Sequence, residues 1–181
     1  MDSPLFCDHC RSLYPAEGLN HFELLGFPPA FDIDPAALRQ KYLQVSHGVH
    51  PDHHGDSADS TASLRLSAQL NEAHRVLADP VLRAEYLLEL FGGPPASSDK
   101  SVLDGVLTNA LMLREEIGDA QAAQDRAALA ACATRVRQLH ETTLHQIGEL
   151  ARQLPGDPEV RRQLRATLNS IKYYQKLLGE L

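Results

Sequence analysis

The order of apolar and polar positions along the chain predicts helices and no strand. Apolar residues recur four, three and four positions apart, which places them on one side of a helix. In the first half two such stripes follow each other: Leu38, Tyr42, Val45 and Val49, then Leu66, Leu70, Ala73 and Leu77. Facing stripes of this kind can pack against each other as an antiparallel pair of helices.

Local start and stop signals delimit these helices. A short helix from Asn20 to Leu25 should end at Gly26, and Pro51 should stop the second helix. The polar stretch from His53 to Thr61 predicts a loop before the third helix. Three helices should begin where an aspartate is followed by a proline, because the aspartate can cap the helix and the proline suits its first position. These pairs are Asp34-Pro35, Asp79-Pro80 and Asp157-Pro158. The helix that starts at Pro80 should run through Leu90.

Three more stripes follow in the second half and predict a small helical bundle. They are Val106, Ala110, Leu113 and Ile117; then Cys132, Val136, Leu139, Thr143, Ile147 and Leu150; then Leu164, Leu168, Ile171 and Leu178. We therefore expect an all-α fold in four parts. These are a cysteine-containing extension (1–18), a helical domain (19–92), a Gly- and Pro-rich linker (93–100) and a three-helix domain (101–181).

The amino-acid composition argues against some classes of function. Apolar residues make up 43% of the 181 residues and tryptophan is absent, so Leu, Val and Ala must build the cores. A net charge of −7 argues against nonspecific nucleic-acid binding. We find no apolar run of membrane length and no targeting leader, so we expect a cytoplasmic protein that does not bind membranes. Three cysteines, an odd number, predict reduced thiols.

The tripeptide His50-Pro51-Asp52 lies at the corner between the second and third predicted helices. The second helix carries Arg39 and Lys41 and no acid from Pro35 to Val49. A cationic helix that ends beside a carboxylate can meet an acidic patch while the carboxylate accepts an arginine from the same partner. The alternative is an ordinary solvated helix face followed by a turn.

The residues around this corner resemble a J-domain, the module that drives ATP hydrolysis in DnaK-class chaperone ATPases. The resemblance rests on the His-Pro-Asp corner between two helices and on the run NEAHRVLADP from Asn71 to Pro80. The run LRAEYLL from Leu82 to Leu88 and LMLREEI from Leu111 to Ile117 are similar to the HscB family of iron–sulfur cluster co-chaperones.

This resemblance implies a co-chaperone and no enzyme. His50, Pro51 and Asp52 would couple to the hydrolysis switch of a DnaK/HscA-class ATPase, with Arg39 and Lys41 docking it. A partner accelerates such a step only if it binds the hydrolysis-competent state more tightly than the resting state. The second implied partner is an IscU-type scaffold that carries a nascent cluster, and we expect the co-chaperone itself to be a monomer.

We expect the scaffold to bind what we call the client face, on the C-terminal domain. Leu103, Leu107 and Leu111 form an apolar row beside the core stripe of their helix, and we expect Leu107 and Leu111 to contact the scaffold. The other expected members are Met112, Glu115, Asp119 and Tyr173. Where this chain has Met112 and Thr108, the family pattern has more acidic residues and a larger apolar residue. In the alternative interpretation, Leu107 and Leu111 pack against the first domain.

Cys7 and Cys10 have the spacing of a zinc-ligand pair, although a structural site normally needs four ligands. His9, His21, the same pair of another molecule or cysteines upstream could complete the site, or the pair binds no metal. No cofactor is otherwise required. Two alternative functions stay open: a metal-binding or redox-sensing protein that uses this pair, and a J-protein whose client is unrelated to iron–sulfur assembly.

Overall fold

The computed structural model of the chain describes residues 18–49 and 57–181, with the backbone alone at 57–62. Within these ranges the chain forms helices and no strand, so the all-α prediction is confirmed. The helices are α1 (His21–Leu25), α2 (Pro35–Val49), α3 (Ser57–Ala78), α4 (Pro80–Leu90), α5 (Val106–Ala122), α6 (Arg126–Ala151) and α7 (Pro158–Glu180). In the described part of the chain, no helix is both long enough and apolar enough to cross a membrane.

The predicted helix ends are formed by side-chain caps. The Asn20 carboxamide accepts from the backbone N–H groups of Phe22 and Glu23, and the Glu23 carboxylate accepts from the Asn20 N–H in return. Gly26 ends α1 with φ of 71°, a left-handed conformation that glycine adopts without steric cost. Asp34, Asp79 and Asp157 each accept two backbone N–H groups from the first turn of α2, α4 and α7.

One predicted helix start is wrong. The stretch from His53 to Thr61 was expected to be a loop, but α3 already begins at Ser57. Ala58 and Ala62 are residue types that favour helix. The polarity of this stretch therefore indicates only that it lacks an apolar stripe, and it does not exclude a helix.

The chain divides into two compact units, one ending at Arg83 and the other formed by Ala84–Leu181. In the first unit α1, α2 and α3 pack on one another, and both predicted stripes supply buried core residues. Tyr42 connects α2 to α3: its hydroxyl donates to Asn71 Oδ1 at 2.7 Å, and its ring stacks on His74 with centroids 4.3 Å apart. This connection fixes how α2 is rotated about its own axis.

In the second unit α5, α6 and α7 form the predicted three-helix bundle. Val106, Ala110, Leu113 and Ile117 are all buried, and they meet Cys132 and Val136 of α6 and Tyr174 and Leu177 of α7 in one core. Among the members of the three stripes predicted for this unit, only Leu139, Leu150 and Leu178 are half-buried rather than buried.

The Gly- and Pro-rich segment is held along α7 within this unit. Arg161 donates to the Phe91 carbonyl at 3.1 Å, Arg165 to the Pro94 carbonyl at 2.7 Å, and Asn169 to the carbonyls of Asp99 and Ser101. The three donors are spaced four residues apart, so they form a ladder on one side of α7. Residues 91–101 therefore follow α7 through side-chain hydrogen bonds to their backbone.

Candidate functional site

An apolar row on α5 lies in solvent rather than in the core. Leu107 and Leu111 are 54% and 59% exposed, whereas Leu113 on the same helix is 1% exposed. The difference follows from position, because the core stripe already uses the side of α5 that faces α6 and α7. Leu107 and Leu111 are thus available to a partner and contribute nothing to the bundle core, whereas Leu103, which was predicted in the same row, precedes α5 and packs against that core.

Tyr173 of α7 lies level with this row. Just before α5, the Leu103 N–H donates to Ser170 Oγ at 2.9 Å, and near the other end Arg114 donates to the Glu180 carboxylate at 2.8 Å. These pairs are 67 and 66 residues apart, and the Gln121 side chain also donates to the Glu180 carbonyl, so α5 and α7 run in the same direction and Glu180 lies between the levels of Arg114 and Gln121. Tyr173, which is 39% exposed and seven residues before Glu180, therefore lies level with the part of α5 between Leu107 and Arg114.

Two carboxylates border the row. Glu115 and Asp119 are exposed on α5, and neither lies within ion-pair distance of a cation among the described residues. Their neighbours Arg114 and Glu116 are paired, with Glu180 and Arg135 respectively. Unpaired carboxylates beside exposed leucines make a surface that suits a partner carrying apolar and basic groups.

The structure does not bring all six expected residues of the client face to one side of α5. Leu107 and Leu111 lie toward α7, on the side where Arg114 reaches Glu180. Met112, 52% exposed, lies toward α6 and lines a cavity with Arg135 and Gln138. Glu115 lies between the two sides, since it follows Leu111 by one turn and Met112 by three residues.

Arg39 and Lys41 lie on different sides of α2. Two residues apart on a helix correspond to a rotation of about 200°. Arg39 is exposed, whereas Lys41 is half-buried with its stem over Gly26, where an added Cβ would come within 3.2 Å of Lys41 Cε. A partner that contacts both cations must therefore wrap around α2.

Several expected site residues lie outside the described residues: His50, Pro51 and Asp52, and the pair Cys7 and Cys10. In the part of the chain that the structure covers, no group of three or more His, Cys, Asp or Glu side chains could hold a metal ion. Cys132 is free and buried in the core of the second unit, with its Sγ 3.9 Å from Glu116 Oε2. It packs there as a small apolar residue.

Two features of the site region were not expected from the sequence. Leu43 is 55% exposed on α2, one turn after Arg39. The sequence held a signal for this exposure, because Leu43 lies off the core stripe of its helix. Arg165 is fully buried in the second unit and reaches Glu85 at 2.8 Å. No sequence pattern indicated it, because arginine at an apolar-flanked position is usually exposed.

Comparison with solved structures finds seven matching chains, including two that match nearly the whole of this chain, although no protein-family model matches it. Chaperone HscB from Vibrio cholerae is 30% identical, with a TM-score of 0.73, and the match covers 90% of this chain and 94% of that one. Human co-chaperone protein HscB is 22% identical, with a TM-score of 0.83, and the match covers 99% of this chain and 89% of that one.

These matches define the class of protein as a helical chaperone protein. The likeness to the human protein shows the fold, whereas the likeness to the bacterial one is high enough in identity and coverage to show the family. The chain belongs to the HscB family of co-chaperones, which confirms the resemblance seen in the sequence.

Proposed function

We propose that this protein is a J-domain co-chaperone of iron–sulfur cluster assembly that delivers an IscU-type scaffold to a DnaK/HscA-class chaperone ATPase and stimulates its ATP hydrolysis. Membership of the HscB family supports this proposal. The observation that carries it is the exposed row of Leu107 and Leu111 beside two unpaired carboxylates, because a co-chaperone needs a surface for its client that its own core does not use.

The client end of the proposal rests on the chemistry of that surface. Exposed leucines and a half-exposed tyrosine supply apolar area, and aromatic residues are frequent binding hot spots. Glu115 and Asp119 would orient a client with basic groups beside its apolar contact, since charge complementarity mainly sets orientation and association rate. Neither role requires a catalytic group in this chain.

The chaperone end rests on α2 and on the corner that follows it. Arg39 and Lys41 supply positive charge on a helix without acids, and Asp52 supplies the carboxylate that an arginine of the ATPase would bind. Stimulation then requires that this surface bind the hydrolysis-competent state of the ATPase more tightly than its resting state. The cytoplasmic location and the monomeric state stay predictions.

Substitution of the corner carboxylate tests the proposal. Asp52→Ala should abolish stimulation of the chaperone's steady-state ATPase and leave scaffold affinity unchanged, because the client face lies in the second unit. Asp56→Ala, which removes an acid four residues further along, is the matched control and should stimulate like the wild type. Full stimulation by Asp52→Ala would overturn the proposed mechanism.

A further inference from the structure

A cavity of about 310 Å³ opens to solvent between α5 and α6, on the side of α5 opposite to Leu107. Its apolar lining consists of Met112, Leu113 and Leu139. Leu113 and Leu139 also belong to or pack against the bundle core, so the cavity reaches the edge of that core. A side chain of a partner protein can enter an open cavity of this kind and cover the groups that line it.

The polar groups around the cavity are arranged in order along the two helices. Asn109 and Thr142 lie at one end, Gln138 lies at the middle, and Arg135 closes the other end. The Arg135 guanidinium is already paired with Glu116 of α5. Among the described lining residues there is no carboxylate, so the cavity differs in charge from the acidic border formed by Glu115 and Asp119.

We propose that this cavity is a second contact of the client face, and that it takes one apolar side chain from an extended segment of the iron–sulfur scaffold. This inference rests on the proposed function. Met112 links the two contacts, because it lines the cavity and directly follows Leu111 along α5. The cavity volume of about 310 Å³ is near the lower limit of ligand pockets and leaves room for one leucine- or phenylalanine-sized side chain.

The amides at the cavity define how the segment would be held. Asn109 and Gln138 each offer a carbonyl and an NH₂ group, which can pair with the backbone of an extended segment. The segment would enter over Met112, with its basic neighbours toward Glu115 and Asp119 and its apolar side chain over Leu113 and Leu139. The client thus contacts both sides of α5, which explains why Met112 is exposed although it lies away from Leu107.

Filling the cavity from α6 tests the inference, because it leaves α5 unchanged. Gln138→Trp should weaken binding of the purified scaffold, measured by isothermal titration calorimetry, by about tenfold, the value of one lost apolar anchor. The melting temperature of the Gln138→Trp variant should be at least that of the wild type, so that misfolding is excluded as the cause of the weaker binding. His145→Trp, on the same helix, 77% exposed and outside the cavity lining, is the matched control and should bind normally.

The outcomes separate this inference from the proposed function. Normal binding by Gln138→Trp, with loss of binding by a Leu107 and Leu111 variant, would overturn the cavity contact and leave the proposed function intact. No binding of the scaffold by the wild type would overturn both. Equal weakening by Gln138→Trp and His145→Trp would also contradict the cavity contact, because the effect would then follow from added bulk on α6.

Discussion

The Nη1 atom of Arg165 lies 2.8 Å from Oε1 of Glu85, and the arginine side chain is completely buried. Its Nε donates to the Pro94 carbonyl at 2.7 Å, while Nη2 lies 3.8 Å from Glu89, too far for a hydrogen bond. One guanidinium thereby joins Glu85 of α4, the Gly- and Pro-rich segment and α7. Burial of a charge is costly unless it is paired in this way.

Removal of one partner of the Arg165–Glu85 pair should therefore lower the free energy of unfolding more than replacement of both partners. Glu85→Ala leaves the Arg165 charge buried with only the Pro94 carbonyl within hydrogen-bond distance and Glu89 3.8 Å away, and should lower the free energy of unfolding by about 3 kcal/mol. Glu85→Leu together with Arg165→Met should recover a large part of this loss. Urea denaturation of the intact chain measures both variants.

Arg162→Met supplies the matched control on the same helix. Arg162 pairs with Glu159, but both side chains are more than half exposed, so the loss should be about 0.5 kcal/mol or less. An equal cost for Glu85→Ala and Arg162→Met would contradict the stabilising role of the buried pair.

The exposed leucines should affect binding and leave stability unchanged. Leu107→Ser with Leu111→Ser removes apolar area from the client face and should weaken scaffold binding at least about tenfold. The melting temperature should stay within about 2 °C of the wild type, because neither residue packs in the core. Calorimetric titration and thermal unfolding of the same preparations measure the two effects.

Two comparisons make this prediction specific. Leu64→Ser changes a leucine that is 60% exposed on α3 and should leave scaffold binding unchanged. Leu113→Ala should instead destabilise the bundle by about 2–5 kcal/mol, because it opens a cavity in the core. Equal loss of binding by Leu64→Ser would show that any exposed leucine has this effect.

His21 should make the first unit less stable in acid. Burial lowers the pKa of His21 below its usual value of 6.5, and the nearby Glu72 carboxylate opposes this shift without reversing it. The folded state therefore binds the proton less readily than the unfolded state. The contribution to stability is present above pH 6.5 and is lost as the pH falls through the lower folded pKa.

Titration of the His21 ring proton by NMR measures this pKa directly, and a midpoint at or above 6.5 would refute the shift. His21→Gln should remove its share of the acid destabilisation that develops below pH 6.5, as measured by urea denaturation at each pH.

The cysteine pair should not be needed for chaperone stimulation. Zinc analysis of the purified protein would show whether Cys7 and Cys10 bind metal, and Cys7→Ser with Cys10→Ser should remove any bound zinc. A chain without residues 1–18 should still stimulate the ATPase fully. Loss of stimulation in that chain would favour the metal-binding or redox-sensing alternative.

The sequence was sufficient to predict the helices and their buried sides. Proline and aspartate caps set the starts of α2, α4 and α7, and the four-three-four spacing identified Leu38, Leu70, Val106 and Leu164 as core positions. These signals are local, so they could be read without knowledge of tertiary structure. The start of α3 was missed because its first turns are polar.

The arrangement of the candidate site could not be predicted as fully. Exposure of Leu107, Leu111 and Tyr173 followed from their positions off the core stripes. The separation of Met112 from Leu107 follows from helix geometry alone, because five residues correspond to a rotation of about 140°, but which of them lies toward α6 and which toward α7 depends on tertiary contacts. Pairing of Arg165 with Glu85 is likewise a contact between residues 80 positions apart, and no local pattern encodes it.

The central claim is that one chain couples a scaffold client to a chaperone ATPase. The most direct measurement is the steady-state ATPase rate of the chaperone as this protein is titrated in, with and without the purified scaffold. We predict stimulation by the protein alone and a larger rate with both than the sum of their separate effects. No stimulation at any concentration, or a rate that is indifferent to the scaffold, would contradict the claim.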